Sequence, residues 1–332
     1  MSKFRKVLIT GGAGFIGNWL SVKLAEKGCD VVAVDNNIRG GLETANFNNK
    51  RISYEQVDLT NEDSVMRLLS SKTFDLIYHL AALNGTQNFY NRPFDVIKNS
   101  SLPIVNIINA MSALNLNIPL VYTGSSETYS HGVTIGCNGV PTSELAEVVL
   151  GPISESRWSY GAAKAFGEYV LQSAFDQFGI KFIIARVHNI YGPRMGFNHF
   201  ISDVIARFRD GDFKLHGSEE TRSFCHIDDA ILALMSLPEI DGAWNQIFNI
   251  GSDDERTILS VAFMIADELG IERSVIEPSK SWAGSVQRRC PDTEKLKNIL
   301  NFDFPNISID EGIKDMIDWY DDEQIILESG FR

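Results

Sequence analysis

Lys6-Val-Leu-Ile-Thr-Gly-Gly-Ala-Gly-Phe-Ile-Gly17 is the stretch that decides the fold. Its first five residues are a short apolar, β-rich run, and the next seven place Gly11, Gly12, Gly14 and Gly17 where a chain leaves a strand and opens a helix. Helical spacing follows at Ile16, Leu20 and Leu24 within Gly14 to Lys27, and Asp30 to Asp35, DVVAVD, is again a strand. That is one βαβ unit. At such a turn the backbone amides can approach a pyrophosphate, where any Cβ would intrude. Asp35, ending the next strand, is placed to accept hydrogen bonds from ribose hydroxyls and to repel a 2′-phosphate, which favours NAD over NADP. Arg39 tempers that preference. Asp58 has two readings, an acceptor for the adenine amino group or a helix N-cap before Asn61 to Asp63.

Outward from this unit, Ile52 to Val57, Phe74 to Leu80 and Pro119 to Tyr122 continue as short strands between amphipathic helices, with Leu68 and Leu69 at one helix end. Such alternation predicts an α/β fold with a doubly wound parallel Rossmann sheet. Long helices are expected over Phe94 to Leu114 and Tyr160 to Phe178, with apolar residues on more than one face, as cover for the sheet or as a surface for a second subunit. Beyond Phe182 to Val187 the pattern is broken by Gly192-Pro193, Gly211 and Gly217, which predicts a smaller C-terminal substrate-binding lobe. The expected division is residues 1–185 for the NAD-binding part and 186–332 mainly for the lobe. Gln246 to Ile250 is a strand returning to the lobe or the sheet, and Ser260 to Leu269 and Glu311 to Tyr320 read as closing helices.

Composition narrows the class. A net charge of −13 with no cluster of Lys and Arg opposes a nucleic-acid partner. Cys29, Cys137, Cys225 and Cys290 contain no CxxC pair, which fits reduced thiols, and no apolar run approaches the roughly 18 residues that span a bilayer. A cytoplasmic enzyme without a membrane partner is expected. The six histidines, His188 included, read as hydrogen-bonded structural residues without metal-ligand spacing. Asp228 and Asp229 read as a helix start, and Asp318, Asp321, Asp322 and Glu323 as a solvated face.

Among nine tyrosines only Tyr160 has a lysine, Lys164, four residues on, and helical spacing puts both on one face. The lysine ammonium and the positive charge of a bound nicotinamide favour the phenolate, which predicts a lowered pKa and a general base. Ser125, upstream, reads either as a partner of the reacting hydroxyl or as a cap.

The motifs TGGAGFIG at Thr10 to Gly17, HLAA at His79 to Ala82, GSSETY at Gly124 to Tyr129, YGAAK at Tyr160 to Lys164 and RVHNIYGPR at Arg186 to Arg194 resemble the extended short-chain dehydrogenase/reductase family that modifies nucleotide sugars. The resemblance runs from Val7 to about Tyr320. It implies NAD as cofactor, lined by Gly11, Gly14, Phe15, Ile16, Gly17, Asp35, Asn36, Asp58, Leu59, Leu80, Ala81, Ala82, Asn99, Tyr160 and Lys164. It implies Ser125, Glu127, Tyr160 and Lys164 as catalytic residues, and Ser126, Asn189, Arg222 and Arg289 as contacts of a nucleoside-diphosphate sugar. A homodimer built on the two long helices is implied as well.

Glu127 stands where sugar-nucleotide dehydratases and uronate decarboxylases carry a glutamate, and the segment Gly151 to Lys164 is similar to that of the decarboxylases. Ser126 stands where many dehydratases have an Asp. The resulting expectation is oxidation at C4 to a 4-keto sugar and then a second step, dehydration or decarboxylation, assisted by Glu127. The alternatives are a net C4 dehydrogenase, a 4-epimerase, and a non-catalytic NAD-binding regulator.

Overall fold

The computed structural model describes residues 3–41, 45–196, 199–281 and 285–322; Glu323 of the acidic run lies outside the described residues. The first half of the chain runs β1 (Lys6–Thr10), α1 (Phe15–Glu26), β2 (Asp30–Asp35), β3 (Ile52–Gln56), α2 (Glu62–Ser71), β4 (Leu76–His79), α3 (Thr86–Asn91), α4 (Pro93–Ala113), β5 (Leu120–Ser125), α5 (Ser130–Thr134), α6 (Ser159–Phe178) and β6 (Phe182–Val187). It continues through β7 (Ile190–Tyr191), α7 (Phe200–Arg209), β8 (Lys214–His216), β9 (Thr221–Arg222), β10 (Cys225–His226), α8 (Ile227–Ser236), β11 (Gln246–Ile250), β12 (Arg256–Thr257), α9 (Ile258–Glu268), β13 (Glu277–Ser279), β14 (Arg288–Arg289), α10 (Glu294–Leu300) and α11 (Ile309–Asp322).

Seven strands form one parallel sheet in the order β11-β6-β5-β4-β1-β2-β3. The inner strands are largely apolar on both faces because both faces are covered, whereas the edge strand β3, ISYEQ, is mostly polar. Val7 and Ile9 of β1 pack with Val31, Tyr78 and Ala185 in one core, together with residues of α1 and α8. Leu8, between them, points into the opposite core with Ile77, Tyr122 and Ile184, under α2, α4 and α6. The side-chain period of two thus divides a single apolar run between two layers.

The direction of winding changes between β1 and β4, and a crevice opens there at the carboxyl ends of the strands. Gly11 follows β1 and Leu80 follows β4, joined by hydrogen bonds from Leu80 N–H to the Thr10 carbonyl at 3.2 Å and from Ala81 N–H to Thr10 Oγ1 at 3.2 Å.

The segment read as irregular contains short strands of two or three residues, paired as β7 with β10, β8 with β13, and β9 between β12 and β14. Runs so short carry no side-chain period, so the sequence shows only their glycine breaks. Helices α7, α9 and α11 close over them around Ile205, Phe208, Leu215, Val261, Ile265 and Met316. Gln246 to Ile250 returns to the sheet beside β6. Asp229 does more than start α8: its buried carboxylate accepts from the backbone N–H of Asn306 and of Ile307, both at 3.0 Å. Among the described residues, no helix is long and apolar enough to cross a membrane.

Candidate active site

The glycine turn is bare backbone pressed against its neighbours. A Cβ on Gly17 would lie 2.1 Å from the carbonyl oxygen of Gly11, and one on Gly11, at φ +70°, would lie 2.8 Å from Ala81 N. Gly14 caps α1 without a side-chain hydrogen bond to the first-turn amides. Those amides and the positive end of the helix face the crevice and fit a pyrophosphate.

Asp35 braces the turn. Its carboxylate accepts from Ala13 N–H at 3.2 Å and Asn37 N–H at 2.8 Å. Burial pushes its pKa up, while these bonds and Arg39 oppose the rise. Asp58 accepts from the N–H and hydroxyl of Thr60, at 2.9 and 2.8 Å, and the N-cap of α2 is Asn61 instead.

A cleft of about 470 Å³ runs from this turn to the end of β5. Its wall contains Gly11, Gly14, Phe15, Ile16, Gly17, Asp35, Asn36, Asp58, Leu59, Leu80, Ala81, Ala82, Asn99, Ser125, Ser126, Glu127, Tyr160, Lys164, Asn189 and Arg289, which the sequence reading singled out. Arg222 stands apart from it. Its guanidinium is taken up by Glu220 at 2.7 Å and the carbonyls of Thr221 at 2.7 Å and Gln287 at 3.3 Å. Burial lowers its pKa to about 10.

At the far end, β5 finishes in Ser125, whose hydroxyl accepts from Glu127 N–H at 3.2 Å and so starts the tight turn Ser126–Thr128. The start of α6 rests on this turn; a Cβ on Gly161 would meet the Glu127 carbonyl at 2.8 Å. Tyr160 is thereby brought close to Ser125, whose hydroxyl acts to lower its pKa, and the Phe89 ring stacks on it at 5.2 Å. Lys164 donates from Nζ to the Thr123 carbonyl at 2.7 Å, and its ammonium lies 5.8 Å from the centre of the Tyr160 ring.

The protein's own electrostatics supply only part of what a phenolate needs. The protein alone raises the Tyr160 pKa, first by burial and then through Glu127, while Arg39 and the Ser125 hydroxyl act against the rise. Burial also pulls Lys164 down to about 7. The Lys164 charge therefore does not suffice to make the phenol acidic, because both groups are removed from water together.

Glu127 is clamped by two arginines, with Arg289 Nη2 at 2.8 Å and Arg157 Nη2 at 3.0 Å. Their charges and hydrogen bonds outweigh its burial and hold its carboxyl below the usual range. Arg157 is itself seated over the rings of Trp158 and Phe89, at 5.0 and 6.0 Å.

Asn189 donates from Nδ2 to the Ser223 carbonyl at 2.8 Å. His188 is fully buried, bonded to the Tyr129 hydroxyl and pulled down to about 3, first by burial and then by Arg289. His79 is equally buried against Thr10 Oγ1.

Sequence reasoning gave no role to Arg157 or Phe89, and it read His199 as structural; His199 and Phe89 line the cleft with Arg39, and Arg157 stands beside it. For Arg157 a signal existed. It stands three residues before Tyr160, one helical turn away, in a stretch already read for its likeness to decarboxylases.

Residues 7–251 match the NAD dependent epimerase/dehydratase family. The chain is 30% identical to UDP-N-acetyl-alpha-D-glucosaminuronate decarboxylase of Bacillus cytotoxicus, over 95% of this chain and 98% of that one. It is 29% identical to UDP-glucuronic acid decarboxylase 1 of Danio rerio, over 96% of this chain and 73% of that one. Its fold matches a UDP-glucuronic acid 4-epimerase from Bacillus cereus, in complex with UDP-glucuronic acid and NAD, with a TM-score of 0.82 at 24% identity, over 96% of this chain and 99% of that one. The chain thus belongs to the NAD-dependent epimerase/dehydratase family and is an NAD-dependent enzyme of the extended short-chain dehydrogenase type.

Proposed function

We propose that the protein binds a nucleoside-diphosphate hexuronate, oxidises its C4 hydroxyl and then releases its carboxylate as carbon dioxide. One observation carries this reading: beside Ser125 and Tyr160, two guanidinium groups share the single carboxylate of Glu127. One positive charge is left over in a nearly buried site, and a second carboxylate matches it.

Bound NAD supplies the hydride acceptor and the positive pyridinium ring. The glycine turn holds its pyrophosphate and Asp35 its ribose, with Asp58 beside the adenine. Ser125 hydrogen-bonds the C4 oxygen and Tyr160 takes its proton. The 4-ketone makes the sugar acid a β-keto acid, so the electrons of the C5–C6 bond flow toward an oxygen faced by Ser125 and Tyr160; a proton from water replaces the lost carboxylate at C5, and the hydride would return to C4 as Tyr160 gives its proton back to the oxygen. Arg289 holds the leaving carboxylate, and Asn189 serves the diphosphate.

Glu127, kept ionised, orients the two arginines and has no proton to give. Dehydration needs an acid to expel a hydroxyl, and Ser126 supplies none, so decarboxylation is the better fit. The substrate lies between the sheet part, residues 1–185, and the lobe that follows. A homodimer is supported by Phe94, Ile97 and Leu102 on α4 and Phe166 and Tyr169 on α6, all exposed apolar residues. Free thiols at all four cysteines suit the cytoplasm.

Incubation with a panel of nucleotide sugars, with products read by mass, tests the assignment. A hexuronate that loses carbon dioxide is the expected result. Loss of water, loss of two hydrogens, or an isomer of unchanged mass would replace it with dehydration, net oxidation or epimerisation.

A further inference from the structure

Behind Lys164, on the side away from the cleft, lies a charged pair that no step above uses. Glu168 follows Lys164 by one turn of α6 and is not part of the cleft wall. Its carboxylate takes both edges of the Arg186 guanidinium, Nε at 3.0 Å and Nη2 at 2.7 Å, with both side chains almost fully buried. Arg186 is held in turn by the Glu144 carbonyl, 3.2 Å from Nη1, and lies 5.1 Å over the Tyr129 ring.

The pair is packed tightly under β5. A Cβ on Gly124 would come within 2.8 Å of Glu168 Oε1 and 3.1 Å of Arg186 Cγ. Gly124 stands between Thr123, whose carbonyl holds Lys164, and Ser125, which stands close to Tyr160. The pair therefore supports the short piece of strand on which the reacting groups are assembled.

Several elements face the Lys164 ammonium. Tyr122 of β5 presents its ring at 4.7 Å, and burial keeps its phenol neutral. His79 of β4 is driven neutral by burial and by Lys164 itself. From α6 come the Tyr160 ring and Glu168, and Arg186 of β6 stands beyond Glu168. Among the described residues, Glu168 is the charge that acts on Lys164 against burial.

We infer that Glu168 is a positioning residue for the reacting pair: its carboxylate, fixed beneath Gly124 by Arg186, keeps Lys164 an ammonium on the Thr123 carbonyl without itself meeting any ligand. Lysine, glutamate and arginine together carry one net positive charge, the charge that a phenolate at Tyr160 needs nearby. Without the anion, a buried amine facing a positive pyridinium ring would lose its proton, and the phenolate would lose its partner. The inference rests on Tyr160 and Lys164 being the reacting pair.

The test is the pH profile of nicotinamide reduction in a single turnover of the NAD-loaded enzyme with UDP-glucuronate, for the parent, Glu168→Asp and Glu168→Gln. The Asp variant keeps the parent profile. In the Gln variant the upper apparent pKa of the Tyr160–Lys164 pair falls by about one unit, a roughly tenfold loss confined to the alkaline side. Should Glu168→Gln leave Arg186 too poorly matched to fold, the double variant Glu168→Gln with Arg186→Gln removes both charges and gives a smaller shift in the same direction, since the repelling Arg186 charge goes with the nearer anion. Gln variants that fold, hold NAD and keep the parent's alkaline limb, or lose activity equally at every pH, overturn the inference. If the parent reduces no nicotinamide with any nucleotide sugar, the assignment of the pair itself falls, and this inference with it.

Discussion

Arg289 Nη2 lies 2.8 Å from Glu127 Oε1, at the point where the lobe meets the end of β5. The contact joins β14, late in the chain, to the turn that positions Ser125 and Tyr160, so a segment far along the chain contributes directly to this end of the cleft. Replacing Glu127 by Ala leaves two nearly buried guanidinium groups without their anion and should cost about 3–5 kcal/mol of stability, measured by urea unfolding. Glu127→Gln, closer in shape, should fold, still oxidise C4 and fail to release carbon dioxide.

Tyr160→Phe removes the proposed proton acceptor and leaves the stacked ring on Phe89 in place. The turnover rate should fall by roughly 10²–10⁴. The purified variant should retain NAD in near-parent amounts, shown by cofactor released on denaturation. Equal activity in parent and variant would remove Tyr160 from the chemistry.

Gly17→Ala asks for a Cβ 2.1 Å from the Gly11 carbonyl, with backbone on both sides and no flexible end to yield. The expected cost is about 1–3 kcal/mol, with loss of NAD as the turn opens. Cofactor content and thermal midpoint read both effects.

His79 and His188 are buried neutral, each with a pKa near 3 against an ordinary value of 6.5. A base whose folded pKa is depressed contributes stability that is fully present above its unfolded value and is lost as pH falls below it. The thermal midpoint should therefore stay level down to about pH 6.5 and decline toward pH 3. Glu127, held below 4.5, adds its own loss only at the acid end of that window.

Phe166→Glu puts a charge into the exposed apolar face of α6. The expected result is a shift from dimer to monomer in light scattering, with the NAD content kept. A parent that is already monomeric would dispose of the dimer.

Most of the sheet could be read in advance because most of its strands are short apolar runs between helical patterns. β1, β2, β6 and β11 lie at the residues the sequence indicates. The first half of the site was legible for a similar reason: the glycine turn and the Tyr160–Lys164 spacing are local patterns. Glu168 was not, since its role depends on a partner distant in sequence, Arg186. The raised Tyr160 pKa was hidden too, because burial is a property of the packed cleft and not of neighbouring residues.

Since β11 joins β6 only after the whole run from β7 to α8 has been made, a nascent chain that has just produced Phe182 to Val187 holds an apolar strand with one edge open. Until Gln246 to Ile250 leaves the ribosome, that edge is a template for another unfinished chain, and slow synthesis between the two would favour aggregation over maturation.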